Sequence, residues 1–253
     1  MCSRSRRTES HPFNFRQMEA KKKLVISTGA GMSVESGIAT FRDAGGLWDR
    51  YPVMQVASHD GYLADPALIH RFYNKLRHEL VEARPNAGHL ALAALEHDFD
   101  VDVITQNVDN LHERAGSTRV LHLHGELMKM EATDDPGLTF TLPDDNGGSL
   151  DTGVDTVIQG HHVRPHIVFF QEAVPNFEPA AEIVRQADIF VVIGTSLVVY
   201  PAAALIRYVR PGVPVYYIDP NPAQVPDWVH VIREPAGTGV ATLARLLEKN
   251  RQY

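Results

Sequence analysis

The stretch Leu24-Val25-Ile26-Ser27-Thr28-Gly29-Ala30-Gly31-Met32-Ser33 constrains this chain more than any other. An apolar, partly β-branched run of strand length breaks abruptly into Gly-Ala-Gly, and Ser33 follows at a position suited to cap a helix. That order predicts the strand, tight turn and helix start of a dinucleotide-binding βα unit. Its glycines let backbone come close to a pyrophosphate, and the free N–H groups of a helix start favour an anion there. An ordinary tight turn has the same Gly-x-Gly spacing, so the turn alone leaves both readings open.

The rest of the chain supplies the other parts of such a sheet. From Pro66 to Glu82, Leu68, Ile69, Phe72, Leu76 and Leu80 recur at helical spacing, Pro85 stops the helix, and Asn86 opens a second. The run Val101–Thr105 reads as a strand that delivers Gln106, Asn107 and Asp109 at its C-terminal end, where ligands bind in open parallel sheets. Amide side chains offer both donors and acceptors, which suits a carboxamide or ribose hydroxyls; an ordinary helix cap is the other use for Asp109. Val120–Gly125 follows as a short strand whose alternation puts His122 and His124 on one face. Asp188–Ile193 is a continuous, fully buried parallel strand ending in Gly194-Thr195-Ser196, whose hydroxyls can hold ribose or phosphate. Val213–Ile218 ends in Asp219-Pro220-Asn221, and Val229–Ile232 with a helix from Thr238 to Lys249 closes the sheet.

Between Gly125 and Val163 the composition shifts to Asp, Gly and Thr. Asp145-Asn146-Gly147-Gly148 makes a good turn, so Leu138–Leu142 and Val154–Ile158 are expected to pair as a small hairpin. His161 and His162 are adjacent and point opposite ways on a strand, which disfavours a shared metal.

The 253 residues, 44% of them hydrophobic, suffice for one large domain with a smaller one. Nothing approaches the roughly 18 uninterrupted apolar residues of a membrane span. Residues 1–23 are polar and basic, lack the apolar core of a secretory signal, and read as a solvated tail, with residues up to Met18 open to being an upstream extension. A net charge of −7 argues against a nucleic-acid partner for the body. The single cysteine, Cys2, allows neither an internal disulfide nor a thiolate cluster, and a reducing cytoplasm is the expected compartment.

Three motifs together resemble the sirtuin family, NAD-dependent protein-lysine deacylases: Gly29-Ala30-Gly31 running on to Gly37-Ile38-Ala39-Thr40-Phe41-Arg42-Asp43, Thr105-Gln106-Asn107-Val108-Asp109-Asn110-Leu111-His112, and His122-Leu123-His124-Gly125. The resemblance implies a Rossmann-like, doubly wound, mostly parallel sheet binding NAD as a consumed co-substrate, with an inserted helical and hairpin module. On that division the large part holds residues 24–44, 85–126 and 164–253, and the module holds 45–84 and 127–163. The resemblance makes His124 the base, with Asn107 and Asp109 positioning the nicotinamide ribose. Gly29, Ala30, Gly31, Ser33, Ile38, Phe41, Arg42, Trp48, Gln106, Gly194, Thr195, Ser196, Asp219, Pro220, Asn221 and Ala236 complete the cofactor contacts, Trp48 from a mobile loop over Ala44–Trp48. Acyl-lysine proteins or peptides are the implied partners, taken by edge pairing against Val168, Phe169 and Phe170.

Two departures stand out. The four zinc-binding cysteines usual in the family are missing, so no zinc is expected. The segment normally ending Phe-Gly-Glu reads Phe170-Gln171-Glu172, the glutamine either narrowing the groove or pointing to solvent. Members that remove acidic acyl groups carry Tyr-x-x-Arg on the first long helix. Here Tyr73 is present, Leu76 stands at the arginine position, and Arg77 follows, either reaching the tyrosine's side or lying solvated. Deacetylation leads. The rivals are a sirtuin-like ADP-ribosyltransferase or NAD hydrolase, and a non-catalytic NAD-binding sensor.

Overall fold

The computed structural model describes residues 20–38 and 51–251. In order come β1 (Lys23–Thr28), two 3-10 turns (Ala30–Met32 and Val34–Ser36), α1 (Val53–Val56), α2 (His59–Ala64), α3 (Pro66–Glu82) and α4 (Ala87–Leu95). Next are β2 (Asp100–Thr105), α5 (Leu111–Ala115), β3 (Val120–His122), β4 (Gly125–Ala132), β5 (Thr139–Thr141), β6 (Val157–Ile158) and β7 (His161–Ile167). The chain closes with α6 (Phe177–Arg185), β8 (Ile189–Ile193), a 3-10 helix (Ala202–Tyr208), β9 (Val215–Ile218), β10 (Val229–Ile232) and α7 (Ala236–Arg251).

A six-stranded sheet ordered β3-β2-β1-β8-β9-β10 is parallel throughout. Its strands are apolar on both faces because helices cover both. Leu24, Ile26, Val101 and Val191 face Leu92, Val240 and Leu243 on one side. Val25, Ile104, Phe190 and Val192 face Ala180, Val184 and Leu205 on the other. This is the expected doubly wound sheet. Strand order reverses between β1 and β8, and the register lines up Thr105, Thr28 and Ile193 there. The C-terminal ends at this reversal form the crevice where such sheets bind ligands.

The first turn is built differently from its sequence expectation. Ser33 caps nothing: its side chain makes no cap hydrogen bond, and the segment after Gly29 is 3-10 rather than α-helical. Gly29 N donates to Ile193 O at 3.0 Å and Gly31 N to Gly194 O at 2.8 Å, so neither N–H is left for an anion. A Cβ on Gly31 would sit 2.7 Å from Gly194 Cα, and Gly194 itself adopts φ +61 with Met32 N closing in. These glycines are required first by the close crossing of two strand-end turns.

The smaller module combines α1–α3 with a four-stranded antiparallel sheet ordered β5-β4-β7-β6. The expected hairpin does not form. Leu138–Leu142 pairs through β5 with β4, Val154–Ile158 pairs through β6 with β7, and the two lie at opposite edges. Asp144–Asn146 is a 3-10 turn instead. β4 begins at Gly125 and β7 runs to Ile167, so both cross the expected boundaries at residues 127 and 164. At the other end, Lys23 opens β1 and ion-pairs with Asp100 and Asp102, and Lys21 Nζ donates to Glu96 O. Those lysines belong to the folded body, which corrects their place in a solvated tail. Residues 1–19 of that tail lie outside the described residues.

Candidate functional site at the sheet reversal

Strand β2 ends at Thr105 and delivers Gln106, Asn107 and Asp109 to the crevice. The Gln106 carbonyl takes a hydrogen bond from His124 Nδ1 at 3.1 Å, and the Gln106 side-chain amide donates to Thr195 Oγ1 at 3.4 Å. Asn107 Nδ2 donates to Ser33 Oγ at 3.1 Å, and Ser33 Oγ donates to Asp109 Oδ2 at 2.9 Å. The other Asp109 oxygen accepts from Leu111 N at 3.0 Å, a bond to the first helical amide of α5, while the N-cap position itself is Asn110. Burial pushes the Asp109 carboxyl above its ordinary range, against the pull of these hydrogen bonds.

The two histidines differ. β3 stops at His122, and a bend at Leu123-His124 precedes β4, so they do not share one strand face as the alternation suggested. His122 is buried between Asn107 O at 2.9 Å and Glu113 Oε1 at 2.8 Å. Burial works against its charge, but the bond and charge of Glu113 outweigh that and raise its pKa. Among the described residues, His124 has no carboxylate partner. Burial lowers its pKa, only partly offset by the Gln106 carbonyl. With Nδ1–H held by that carbonyl, the lone pair of the neutral ring lies on Nε2, the form a general base needs.

Thr195 is buried, and its carbonyl accepts from Tyr217 Oη at 2.8 Å. Asp219, after β9, accepts from Asn221 N at 2.8 Å, and burial raises its pKa. Ala236 starts α7, where Gly237 N donates to Glu35 Oε2 at 2.7 Å, tying that helix to the turn after β1. The sequence reading missed Glu35, whose partner Gly237 lies 202 positions away, and Tyr217, whose hydroxyl bridges Thr195 O and Ala223 N. Pro220 sits between Asp219 and Asn221, and Ser196 follows Thr195 as an exposed residue. Ile38, half-buried, packs against the core of the smaller module. Phe41, Arg42 and Trp48 lie outside the described residues, with the loop Ala44–Trp48.

Val168–Phe170 runs between the two parts. Val168 N donates to His124 O at 3.0 Å, Phe170 N to Ala57 O at 2.8 Å, and His59 N to Phe170 O at 3.0 Å. Phe169 is buried and packs its ring 6.0 Å from Tyr73, whose pKa burial pushes up, while Phe170 is exposed. Gln171 adopts φ +77, the left-handed region that favours glycine. Its exposed side chain accepts from Asp60 N at 3.1 Å and donates to Asp60 Oδ2 at 2.7 Å. Glu172 accepts from Phe169 N and from both terminal nitrogens of Arg164.

Arg77 is not solvated. It is fully buried and donates to Leu127 O at 2.9 Å, Asn74 Oδ1 at 2.6 Å, Leu150 O at 3.3 Å and Thr152 Oγ1 at 3.4 Å. Burial lowers its pKa to about 10. Its hydrogen bonds go to these groups and to Met130 Sδ rather than to Tyr73, whose ring it approaches closely enough to interact electrostatically. Leu76 packs in the core as expected. Among the described residues, no group of three His, Cys, Asp or Glu side chains is placed to hold a metal.

The chemistry of this donor set suits NAD. The amides of Gln106 and Asn107, the carboxyls of Asp109 and Asp219 and the Thr195 hydroxyl suit ribose hydroxyls and a carboxamide. The glycine crossing keeps the crevice floor free of side chains. Residues 29–201 match the model of the Sir2 family. An NAD-dependent protein deacylase of Bacteroides thetaiotaomicron is 54% identical over 229 residues, covering 89% of this chain and 98% of its own. One from Helicobacter pylori strain 26695 is 48% identical over 217 residues, covering 85% and 93%. The crystal structure of a Sir2 homologue in complex with NAD superposes with a TM-score of 0.78 at 36% identity, covering 91% of each chain. The chain belongs to the Sir2 family.

Proposed function

We propose that this protein is an NAD-dependent protein-lysine deacylase, acting on acetyl-lysine and releasing nicotinamide and O-acyl-ADP-ribose. The observation that carries the reading is His124. A neutral imidazole pinned through Nδ1 to Gln106 O has its basic Nε2 unpaired among the described residues, and its own carbonyl holds the Val168 amide of the expected substrate segment. Base and substrate strand are thus joined by one hydrogen bond.

NAD, when bound, supplies the ribosyl centre whose bond to nicotinamide breaks. Asn107 and Asp109 hold the nicotinamide ribose, and the Ser33 bridge fixes both. Gln106 and Thr195 line the middle of the crevice, and Asp219, Asn221 and Ala236 line the adenosine end. His124 Nε2 takes a proton from a ribose hydroxyl, and lowering of its pKa by burial keeps the ring unprotonated near neutral pH. The peptide passes along Val168–Phe170, whose amides are already bonded to His124 O, Glu172 Oε2 and Ala57 O. Side chains rather than a free strand edge therefore receive it, with Tyr73 and Phe169 against the acyl chain. Preference for acetyl over succinyl follows from Arg77, whose guanidinium is consumed inside the module rather than available to a distal carboxylate.

The test is nicotinamide release from NAD with no peptide, an acetyl-lysine peptide or a succinyl-lysine peptide. Release with acetyl peptide, accompanied by O-acetyl-ADP-ribose, is expected. Peptide-independent release would replace this reading with NAD hydrolysis, and faster turnover of succinyl peptide would overturn the acyl assignment.

A further inference from the structure

Beneath the proposed ribose end lies a buried polar chain that the mechanism above does not use. His112 and His89 are both fully buried, their rings 4.8 Å apart between centroids and edge to face at 63°. His112 Nε2 lies 3.1 Å from Thr28 Oγ1, Thr28 Oγ1 donates to Thr105 Oγ1 at 2.8 Å, and Asn107 N donates to that same Thr105 oxygen at 3.0 Å. On the other side, Asn86 N donates to His89 Nδ1 at 3.3 Å, while the Asn86 side chain donates to Met32 O at 2.8 Å and Ser36 Oγ at 3.1 Å. The chain therefore starts at the turn after β1 and ends at the backbone of Asn107.

Its proton positions follow from the partners. His89 Nδ1 accepts a backbone N–H, so the proton of the neutral ring is on Nε2. With the Thr28 hydroxyl proton assigned to the bond with Thr105, His112 donates to Thr28 from Nε2 and keeps a lone pair on Nδ1. The two ring atoms without a partner among the described residues are His89 Nε2 and His112 Nδ1, one donor and one acceptor on neighbouring rings. Burial lowers the pKa of both rings, that of His89 to about 4.

We propose that His112, neutral and protonated on Nε2, is a positioning residue for NAD binding: through Thr28 and Thr105 it fixes the Asn107 backbone, and through His89 and Asn86 it couples that end to the turn at Met32–Ser36. This rests on the assignment of Asn107 to the nicotinamide ribose. His112 itself does not enter the crevice.

The experiment compares His112→Gln, whose side-chain amide can still donate to Thr28, with His112→Leu, which cannot. NAD affinity is read by calorimetry without peptide, so turnover does not enter. His112→Leu is expected to weaken NAD by about tenfold, with His112→Gln recovering most of that loss. Thr105→Val, isosteric and lacking the acceptor for Asn107 N–H, is expected to weaken NAD similarly and decides the question where His112→Leu does not fold. In wild type, NMR of the histidine ring nitrogens is expected to show the Nε2–H tautomer at His112. A His112 proton on Nδ1, equal NAD affinity of the Gln and Leu variants, or unaltered affinity in Thr105→Val would each overturn the proposal. Failure of wild type to bind NAD at all would instead overturn the functional reading, with the tautomer still testing the chain.

Discussion

Ser33 Oγ donates to Asp109 Oδ2 at 2.9 Å, joining two residues 76 positions apart across the reversal of the sheet. One hydroxyl thereby holds a carboxylate that burial has made costly to charge, and the same oxygen receives the Asn107 amide. The turn after β1 and the loop after β2 are one polar unit.

Ser33→Ala is expected to leave Asp109 Oδ2 and Asn107 Nδ2 each without its partner, at a stability cost of about 1–3 kcal/mol. The KM for NAD should rise while the KM for acyl peptide stays near the parent value. Urea unfolding with steady-state kinetics checks both; an unchanged KM for NAD would detach this unit from the cofactor.

Arg77→Met is expected to cost about 3 kcal/mol, because it abandons two buried carbonyls and the Asn74 and Thr152 side chains at once. Arg77→Lys should recover little, since three donors on one point cannot reproduce the forked pattern. The measurement is denaturant unfolding. A loss below about 1 kcal/mol would mean that this guanidinium does not organise the smaller module.

Legibility in the sequence followed the range of the interactions. Val101–Thr105 and Ile189–Ile193 read correctly as strands because they are buried on both faces, which writes a continuous apolar run into the chain. α3 read correctly because its periodicity, its Asp65 cap and Pro66 are all local. The same holds for α4, where Asn86 and His89 form a capping box. What failed was decided at a distance. Ser33 looked like a cap because its partner Asp109 is remote, and Arg77 looked solvated because its acceptors at Leu127 and Leu150 come from other elements. The strands β5 and β6 are three and two residues long, too short to specify partners, so a favourable turn between them suggested a pairing that β4 and β7 take instead. Of the site, Gln106, Asn107, Asp109 and His124 were legible as a motif. The different environments of His122 and His124 were not, since they depend on Glu113 and on the bend at Leu123-His124.

Acid should weaken the fold through its buried neutral histidines. His70 and His89 have folded pKa values of about 4 against 6.5 when free. The unfolded chain therefore binds more protons between those values, so stability present above pH 6.5 falls as pH drops toward 4. The loss from pH 7 to pH 5 is on the order of 2 kcal/mol after allowance for partial solvation. His122, raised by Glu113, works in the opposite sense and loses its contribution as pH rises through its folded value. Urea midpoints for wild type and His89→Gln across this range check the sign: a variant as acid-sensitive as wild type would remove His89 from the account.

Gln171 sets two local effects against each other. Its φ of +77 costs a side-chain-bearing residue about 1 kcal/mol relative to glycine, and its two bonds to Asp60 offset that cost at an exposed position. Gln171→Gly removes both the strain and the bonds, so its stability should stay within about 0.5 kcal/mol of the parent. Gln171→Ala keeps the strain and loses the bonds, and should be less stable than Gln171→Gly by about 1 kcal/mol. Thermal unfolding of the two variants separates the terms. Equal stability of the alanine and glycine variants would mean that the backbone at 171 relaxes out of the left-handed region once Asp60 releases it, and the glutamine would then be the cause of that conformation rather than its tenant.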